Sequence, residues 1–551
     1  MRIKTRADSL PKRFIAFAML LLMLFASTAC NWLPNNDGPL DIDVSPSSTP
    51  IGSMINASTH TYAVSTSNKI ATQVGMKILE AGGNAVDAAI AVAYTLAVVQ
   101  PYASGLGGGG CLLLYNPAEN EYAFYDYFPT MRFTSKVSRN YIGVPGFVKG
   151  LYEVYNDYAS VDFSALVAPA IEYAQNGTEV TEDLEVRIRV AWANLKDNKN
   201  FYDENGNRLE QGDILYQPEL AETIRILAEK GADAFYRGEI AEQIANMQGA
   251  DITMQDLASY SVHKTNPVIS DFMGYEIASA PAPFAGITII QMLRMAEALD
   301  IANPGENPVT YLDQLYEITS RAYTDRIDRI ADPDFTEIDQ QYLVSADHIA
   351  ELLNMDYVDL SDDYEHVSTT HFTIIDENGM VVSSTNTLSS FWGSRKHVAG
   401  IYMNDTCKHF ASSGINQSDY GKTPRTYCSP VIIRGDDGFI LSIGTPGGNN
   451  IPKILVPVLI DYLKFGTDLQ EAIFKGRVFS KNHNTIVVEE REFFPLITNV
   501  ELKEVNYYFI RRDDAAYFGS IAAVGYSPKL KRVFSAYDDR RGGTSVSSFE
   551  G

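Results

Sequence analysis

One stretch constrains this chain more than any other: Ser368-Thr369-Thr370-His371-Phe372-Thr373-Ile374-Ile375-Asp376, then Glu377-Asn378-Gly379, then Met380-Val381-Val382-Ser383-Ser384-Thr385. Apolar and polar residues alternate with period two on both sides of Asn378-Gly379, and Asn-Gly supplies the positive φ angles of a tight hairpin turn. Residues 371–376 and 380–385 are therefore predicted to be paired strands, with Thr369 opening the first. A threonine there becomes a nucleophile if a base lies beside it. The nearest candidate is its own α-amine, once the bond from Ser368 is cut. Such an amine titrates at about 7.7, so near neutrality a useful fraction can take the hydroxyl proton. Ordinary β propensity also explains Thr-Thr-His at a strand start, so other parts of the chain must decide.

A chain of 551 residues, 45% hydrophobic, can bury a large core. A formal charge of −25 argues against a nucleic-acid partner, because a phosphate backbone demands a basic face. The four cysteines, Cys30, Cys111, Cys407 and Cys428, show neither CxxC nor Cys/His ligand spacing. No metal site or cofactor is expected, and the last three cysteines read as small buried hydrophobes.

Arg2, Lys4, Arg6, Lys12 and Arg13 precede an apolar run at 14–25, too short to span a bilayer comfortably and typical of a signal-peptide core. Ala26-Ser27-Thr28-Ala29-Cys30 resembles a bacterial lipoprotein cleavage site with lipidation of Cys30. Serine stands at the third place before the cysteine, where leucine is usual, so ordinary signal-peptidase cleavage remains open. Residues 1–29 are read as the signal peptide and 30–58 as a lipid-anchored flexible linker. The expected location is the bacterial cell envelope, periplasmic or surface-facing, touching membrane only through the N-terminal anchor.

Helical periodicity covers 69–80 and 85–99, the second apolar all round and capped by Asn84. Gly105-Leu106-Gly107-Gly108-Gly109-Gly110 precedes the strand 111–115; no Gly-Lys-Ser/Thr follows, so it reads as a close backbone crossing. Further helices are expected at 163–176, 219–230, 238–247 and 288–299, and Arg321, Asp325 and Arg329 read as a salt-bridged helix face. Residues 350–367, acidic and without period, suggest an exposed linker into Thr369, as a cleavable junction requires. The strand 439–443 runs into Gly444-Thr445-Pro446-Gly447-Gly448-Asn449 before a helix at 451–465, placing backbone N–H groups where they can stabilise an oxyanion.

Several motifs occur in one order: Gly82-Gly83-Asn84-Ala85-Val86-Asp87, the 105–110 run, Gly143-Val144-Pro145-Gly146, Phe235-Tyr236-Arg237-Gly238, Asp332-Pro333-Asp334-Phe335, Thr369-Thr370-His371 and Pro446-Gly447-Gly448. In these the chain resembles the γ-glutamyltranspeptidases over most of residues 60–545. The resemblance implies an α+β, four-layer αββα sandwich of the N-terminal-nucleophile hydrolase type. It also implies a precursor that cuts itself into a large subunit, 59–368, and a small catalytic subunit, 369–551. Thr369 would supply both hydroxyl and α-amine, Thr387 would hydrogen-bond the nucleophile, and Gly447 and Gly448 would form the oxyanion hole.

The substrate-binding positions depart from the family. Phe128, within Asp126-Tyr127-Phe128-Pro129, stands where an arginine usually grips the donor carboxylate, and Ser389 replaces an asparagine. Thr406-Cys407-Lys408-His409 replaces the group that holds the glutamyl ammonium, and Thr426-Tyr427 replaces a serine pair. Lys408, or Arg425 nearby in sequence, is expected to meet a donor carboxylate instead. The function so implied is an amidase or acyltransferase that cleaves γ-glutamyl or related acyl amides, small or peptidic, and transfers the acyl group to water or an amine. Alternatives are an acylase for a glutaryl-like or poly-γ-glutamyl donor, and an inactive envelope lipoprotein that only binds.

Overall fold

The alternation seen in the hairpin extends through two antiparallel sheets, and it decides what each side chain faces. The computed structural model describes residues 62–249, 251–356, 368–482, 485–490, 508–512 and 515–548. The strands are β1 (Ala63–Thr66), β2 (Gly109–Asn116), β3 (Glu121–Tyr127), β4 (His263–Thr265), β5 (Val268–Phe272), β6 (Tyr275–Ser279), β7 (Ser368–Ile375), β8 (Val381–Ser389), β9 (Val431–Arg434), β10 (Ile440–Gly444), β11 (Ala522–Ser527), β12 (Arg532–Tyr537) and β13 (Thr544–Ser547). Among the described residues the first sheet has the order β13-β1-β7-β8-β2-β3-β4 and the second β12-β11-β10-β9-β6-β5.

Between the sheets lie Cys111, Leu113, Phe124, Phe128, Ile375, Ile432 and Ile440. The other face of the first sheet, with Leu112, Leu114, Tyr125, Phe372 and Ile374, packs on α1 (Lys69–Glu80), α2 (Ala85–Val99), α3 (Phe147–Tyr158), α4 (Phe163–Asn176) and α5 (Pro218–Lys230). Helices α6 (Gly286–Ala298), α7 (Pro308–Arg329) and α9 (Ile451–Leu463), together with α8 (Ala346–Asn354), gather on the second sheet's side. This is the four-layer αββα arrangement. Every residue of α2 is buried, as its continuous apolarity predicts, and Asn84 and Asp87 form a capping box at its start.

The hairpin turn differs in detail from the Asn-Gly expectation. Only Gly379 has positive φ, at +80°, and its N–H donates to the Asp376 carbonyl at 3.0 Å. The turn is thus a one-glycine reversal braced by Asp376, whose Oδ1 accepts from the N–H groups of Asn378 and Met380 at 2.9 and 3.0 Å. The other oxygen, Oδ2, accepts from the Ala85 N–H at 2.9 Å, tying the hairpin to the first turn of α2. Residues 350–354 are not linker but the end of α8: Ile349 and Leu352 are buried and Ser345 caps the helix. The buried face of that helix is made by His348, Ile349 and Leu352, with the acids beside them. Residues 357–367 lie outside the described residues, as do the signal segment, Cys30 and the tether.

On α7, Arg329 pairs with Asp325 at 3.0 Å, but Arg321 turns to Glu317 at 2.9 Å. Asp325 is buried and accepts from Gln291 Nε2 at 2.7 Å, so that face is only partly the exposed ion-pair ladder expected. The glycine run is a close crossing. A Cβ at Gly107, Gly108, Gly109 or Gly110 would lie 2.2–2.3 Å from the carbonyl oxygens of Tyr402, Thr387, Tyr127 and Thr385 respectively.

Candidate active site

Thr369 lies near the start of β7, still joined to Ser368, and its position is set from four directions. Ser368 is anchored by its hydroxyl, which donates to the Tyr102 and Ala103 carbonyls at 2.9 and 3.2 Å. Gly108 lets the backbone of the glycine run press on the Thr387 carbonyl. A register shift between Asn386 and Ser389 breaks the ladder at that point, and Ser389 takes φ +79°. Arg541 reaches the Thr369 carbonyl from the C-terminal side, Nη1 to O 3.4 Å.

The result is a cluster of hydroxyls on one peptide carbonyl. Thr369 Oγ1 lies 2.5 Å from the Ser368 oxygen and 3.2 Å from Thr387 Oγ1. The Thr387 hydroxyl donates to that same Ser368 oxygen, while Thr387 Oγ1 accepts from the Ser389 N–H at 2.8 Å. A hydroxyl beside the carbonyl it would attack, with a second donor on the oxygen where charge would grow, is an arrangement suited to acyl transfer.

Gly447 and Gly448 lie in the turn between β10 and α9. Gly448 has φ +55°, and a Cβ on Gly447 would lie 2.9 Å from Ile454. Thr445 Oγ1 donates to the Pro446 carbonyl at 2.8 Å and accepts from the Ser520 N–H at 3.0 Å. Tyr323 donates from its hydroxyl to the Asn449 carbonyl. These contacts hold the turn at the N-terminal end of α9. Among the described residues, no three His, Cys, Asp or Glu side chains gather as metal ligands would.

The model of the family described as gamma-glutamyltranspeptidase matches residues 71–549. The chain belongs to the γ-glutamyltranspeptidase family. Its chemistry is therefore that of an amide hydrolase or acyltransferase. The capsule biosynthesis protein CapD proenzyme of Bacillus anthracis is 37% identical over 485 residues, covering 88% of this chain and 90% of the relative. A glutathione hydrolase proenzyme of Pseudomonas aeruginosa is 32% identical over 521 residues, covering 86% and 92%. A crystal structure of cephalosporin acylase from Bacillus halodurans superposes with a TM-score of 0.80 at 22% identity, covering 95% of this chain and 99% of that one, a likeness that bears on the fold.

In this member of the γ-glutamyltranspeptidase family the positions expected to meet substrate make two sets of contacts. Ser389, His409 and Phe128 adjoin the hydroxyl cluster: Ser389 Oγ lies 2.8 Å from His409 Nε2, and the Phe128 ring, 1% exposed, lies 6.3 Å from the His409 ring and 6.0 Å from Phe284. Arg425, Thr426 and Tyr427 gather around the buried Arg326 of α7, whose guanidinium also donates to the Phe284 carbonyl at 2.7 Å. The Arg326 guanidinium donates to the Thr426 carbonyl and lies 4.5 Å from the Tyr427 ring, which stacks on Tyr323 at 5.7 Å.

Lys408 and Arg425, expected to offer a cation to substrate, both have partners within the protein. Lys408 Nζ lies 3.2 Å from Asp405 Oδ2 and donates to the Ser390 hydroxyl. Asp405 in turn accepts from the Ser390 N–H and hydroxyl at 2.8 and 2.5 Å. Burial acts to raise the Asp405 pKa, but the Lys408 charge and the Ser390 hydrogen bonds outweigh it and hold the carboxyl below its ordinary value. Arg425 Nη1 donates to the carbonyls of Arg326, Ile327 and Ile330 at 2.9, 2.8 and 3.3 Å, capping the end of α7.

Sequence reasoning missed Asp405, Ser390, Arg326 and Tyr323. Asp405 sits three residues before Lys408, a spacing that could have suggested the pair; nothing local marks Arg326, whose partners lie up to about a hundred residues away.

Proposed function

We propose that this is a self-processing acyltransferase or amidase whose nucleophile is Thr369, made as one chain and cut before Thr369 into a tethered piece carrying the large subunit, 59–368, and the small subunit, 369–551. The carrying observation is the Thr369 hydroxyl 2.5 Å from the Ser368 oxygen, with the Thr387 hydroxyl on that same oxygen. In processing, Thr369 Oγ1 bonds to the Ser368 carbonyl carbon and the carbon–nitrogen bond breaks, with the Oγ1 proton ending on the freed amine. Water then hydrolyses the ester, releasing the Ser368 carboxylate and restoring the hydroxyl. In turnover the α-amine takes the hydroxyl proton as Oγ1 attacks the donor amide, and the Gly447 and Gly448 N–H groups face the oxyanion. The leaving amine departs with the proton, and water or a second amine takes the acyl group from Thr369. The names of both curated relatives include the word proenzyme, which supports processing.

The preferred donor, in this reading, is an acyl amide without a free α-ammonium: a glutaryl-like group or a γ-glutamyl unit capped within a longer chain. Lys408 and His409 stand where an ammonium would need acids. Discrimination rests on the absence of an ammonium site, with Lys408 or Arg425 meeting the donor carboxylate. A capsule biosynthesis protein among the relatives is compatible with a chain-like donor. The test compares kcat/KM for a γ-glutamyl anilide and the matching glutaryl anilide on processed protein. A tenfold or greater preference for the γ-glutamyl compound overturns the donor assignment, and a new N-terminus other than Thr369 overturns the nucleophile. Export and lipidation at Cys30 belong to the same proposal; labelled fatty acid should enter wild type and not Cys30→Ala.

A further inference from the structure

Thr369, His371, Thr373 and Ile375 alternate onto the face of β7 turned toward the second sheet, while Phe372 and Ile374 pack on the helices. Two residues beyond Thr369, His371 is fully buried. Its Nδ1 lies 2.9 Å from Thr385 Oγ1 on the neighbouring strand, and its Nε2 has no hydrogen-bond partner among the described residues. Burial pushes the imidazole pKa down to about 3, so the ring is neutral at working pH. Burying a ring nitrogen without a partner costs stability, so the residue serves something that stability alone does not explain.

The ring lies against Gly444, the last residue of β10 and the first of the turn that leads to Gly447 and Gly448. A Cβ on Gly444 would come within 2.2 Å of His371 Cε1 and 2.4 Å of Nε2. Gly444 does not have positive φ, so the backbone does not need glycine there for its conformation. It needs glycine for the missing side chain. One step further from the site, the Thr373 hydroxyl meets that of Ser442, so β7 and β10 are matched at two successive positions.

We propose that His371 is a positioning residue: seated in the notch left by Gly444, its ring sets the spacing between Thr369 and the glycine turn at Gly447-Gly448. This rests on the reading that Thr369 attacks and that the turn receives the oxyanion. An imidazole wedged between the nucleophile strand and the strand feeding the turn fixes both at once. Thr369 precedes His371 by one strand repeat, and the turn begins at the residue the ring touches.

The experiment is a steric exchange with four variants, His371→Phe, His371→Ala, Gly444→Ala and His371→Ala/Gly444→Ala, each measured for processing, kcat and KM on a donor anilide. His371→Phe keeps a ring in the notch and should retain kcat within about fivefold, whereas Gly444→Ala should lose about a hundredfold in kcat with KM changed less than threefold. The double variant should regain at least tenfold over Gly444→Ala, because the added methyl occupies space the imidazole vacates. Equal losses in His371→Phe and His371→Ala would mean that the nitrogens matter and not the shape, and would overturn the proposal. So would a double variant no better than Gly444→Ala, or a Gly444→Ala enzyme near wild type. Should Gly444→Ala fail to fold, the His371→Phe and His371→Ala pair still decides, since both leave Gly444 as it is and differ in whether a ring fills the notch. Thr369→Ala, run alongside, separates the two levels: activity in that variant defeats the nucleophile reading itself, whereas the outcomes above defeat only the positioning role.

Discussion

The frame around Thr369 and the segment from Asn404 to Tyr427 lie on the same sandwich but are held by different means. The frame joins backbone devices, a strand start, a ladder shift at Asn386 to Ser389 and a glycine run pressed on the Thr387 carbonyl, to a few short-range side-chain contacts from Ser368, Thr387 and Arg541. The segment is built from side chains: Lys408 closed on Asp405, Arg425 on the end of α7, and Thr426 and Tyr427 on Arg326. Acyl transfer tolerates little displacement of its reacting atoms, so under the proposal the backbone part of the frame shields its geometry from most side-chain substitutions. Under the same proposal recognition rests on the side chains of the segment, and can be rewritten residue by residue while the chemistry stays in place.

The comparison breaks most sharply at the nucleophile. Thr369→Ala should remain one chain and lose activity by about 10⁴-fold or more, with no other residue able to compensate; cleavage persisting on a denaturing gel would show that the frame is not the reacting centre. Thr387→Val removes the hydroxyl on the Ser368 oxygen and keeps the shape. It should slow processing by about a hundredfold to a thousandfold in a time course, the scale of losing one donor to a developing oxyanion.

Substitutions in the segment should instead alter preference and leave processing alone. Lys408→Asp/His409→Asp is expected to raise kcat/KM for a γ-glutamyl anilide relative to its glutaryl counterpart by about tenfold to a hundredfold, about 1.4 to 2.8 kcal/mol at the transition state. Loss of processing in that double variant would dissolve the distinction between the two regions.

The smallest effect expected is a pH dependence. The Asp405 carboxyl titrates below its unfolded value of about 3.9, so its contribution to stability is fully present above that value and is lost as pH falls through the folded one. Asp405→Asn should therefore flatten the acid limb of the stability curve below about pH 4, measured by urea unfolding, with kcat at neutral pH changed only a few-fold. An unchanged acid limb would show that the Lys408 pair is not held by that charge.

Most of the framework was legible because it is periodic. The helices at 69–80, 85–99 and 163–176 have the limits that apolar spacing and caps assign, and the four layers follow the family resemblance. The hairpin was legible as a hairpin but not in its turn, because Asp376 accepts two backbone N–H groups and leaves only Gly379 with positive φ. At the site, local signals set neither Thr387 beside Thr369, which the family resemblance implied, nor Ser389 beside His409, twenty residues further on. They could not reveal that Arg425 caps α7 or that Arg326 organises Thr426 and Tyr427. Those partners are brought together by the packing of α7 on the rest of the sandwich, which no window of sequence contains.

The sheet order carries a consequence of another kind. In the first sheet β1, from the beginning of the described chain, is sandwiched between β13 and β7, from its end and its middle; β8 then pairs with β2. A cut before Thr369 would leave two polypeptides that each hold only part of either sheet, so neither could unfold alone without tearing the other's ladders. Before the cut, refolding is a unimolecular search. After it, recovery requires two chains to meet, and so depends on their concentration. Maturation would thus make assembly a one-way event, and the persistence of the mature protein would be governed by how slowly it comes apart and not by how readily it re-forms.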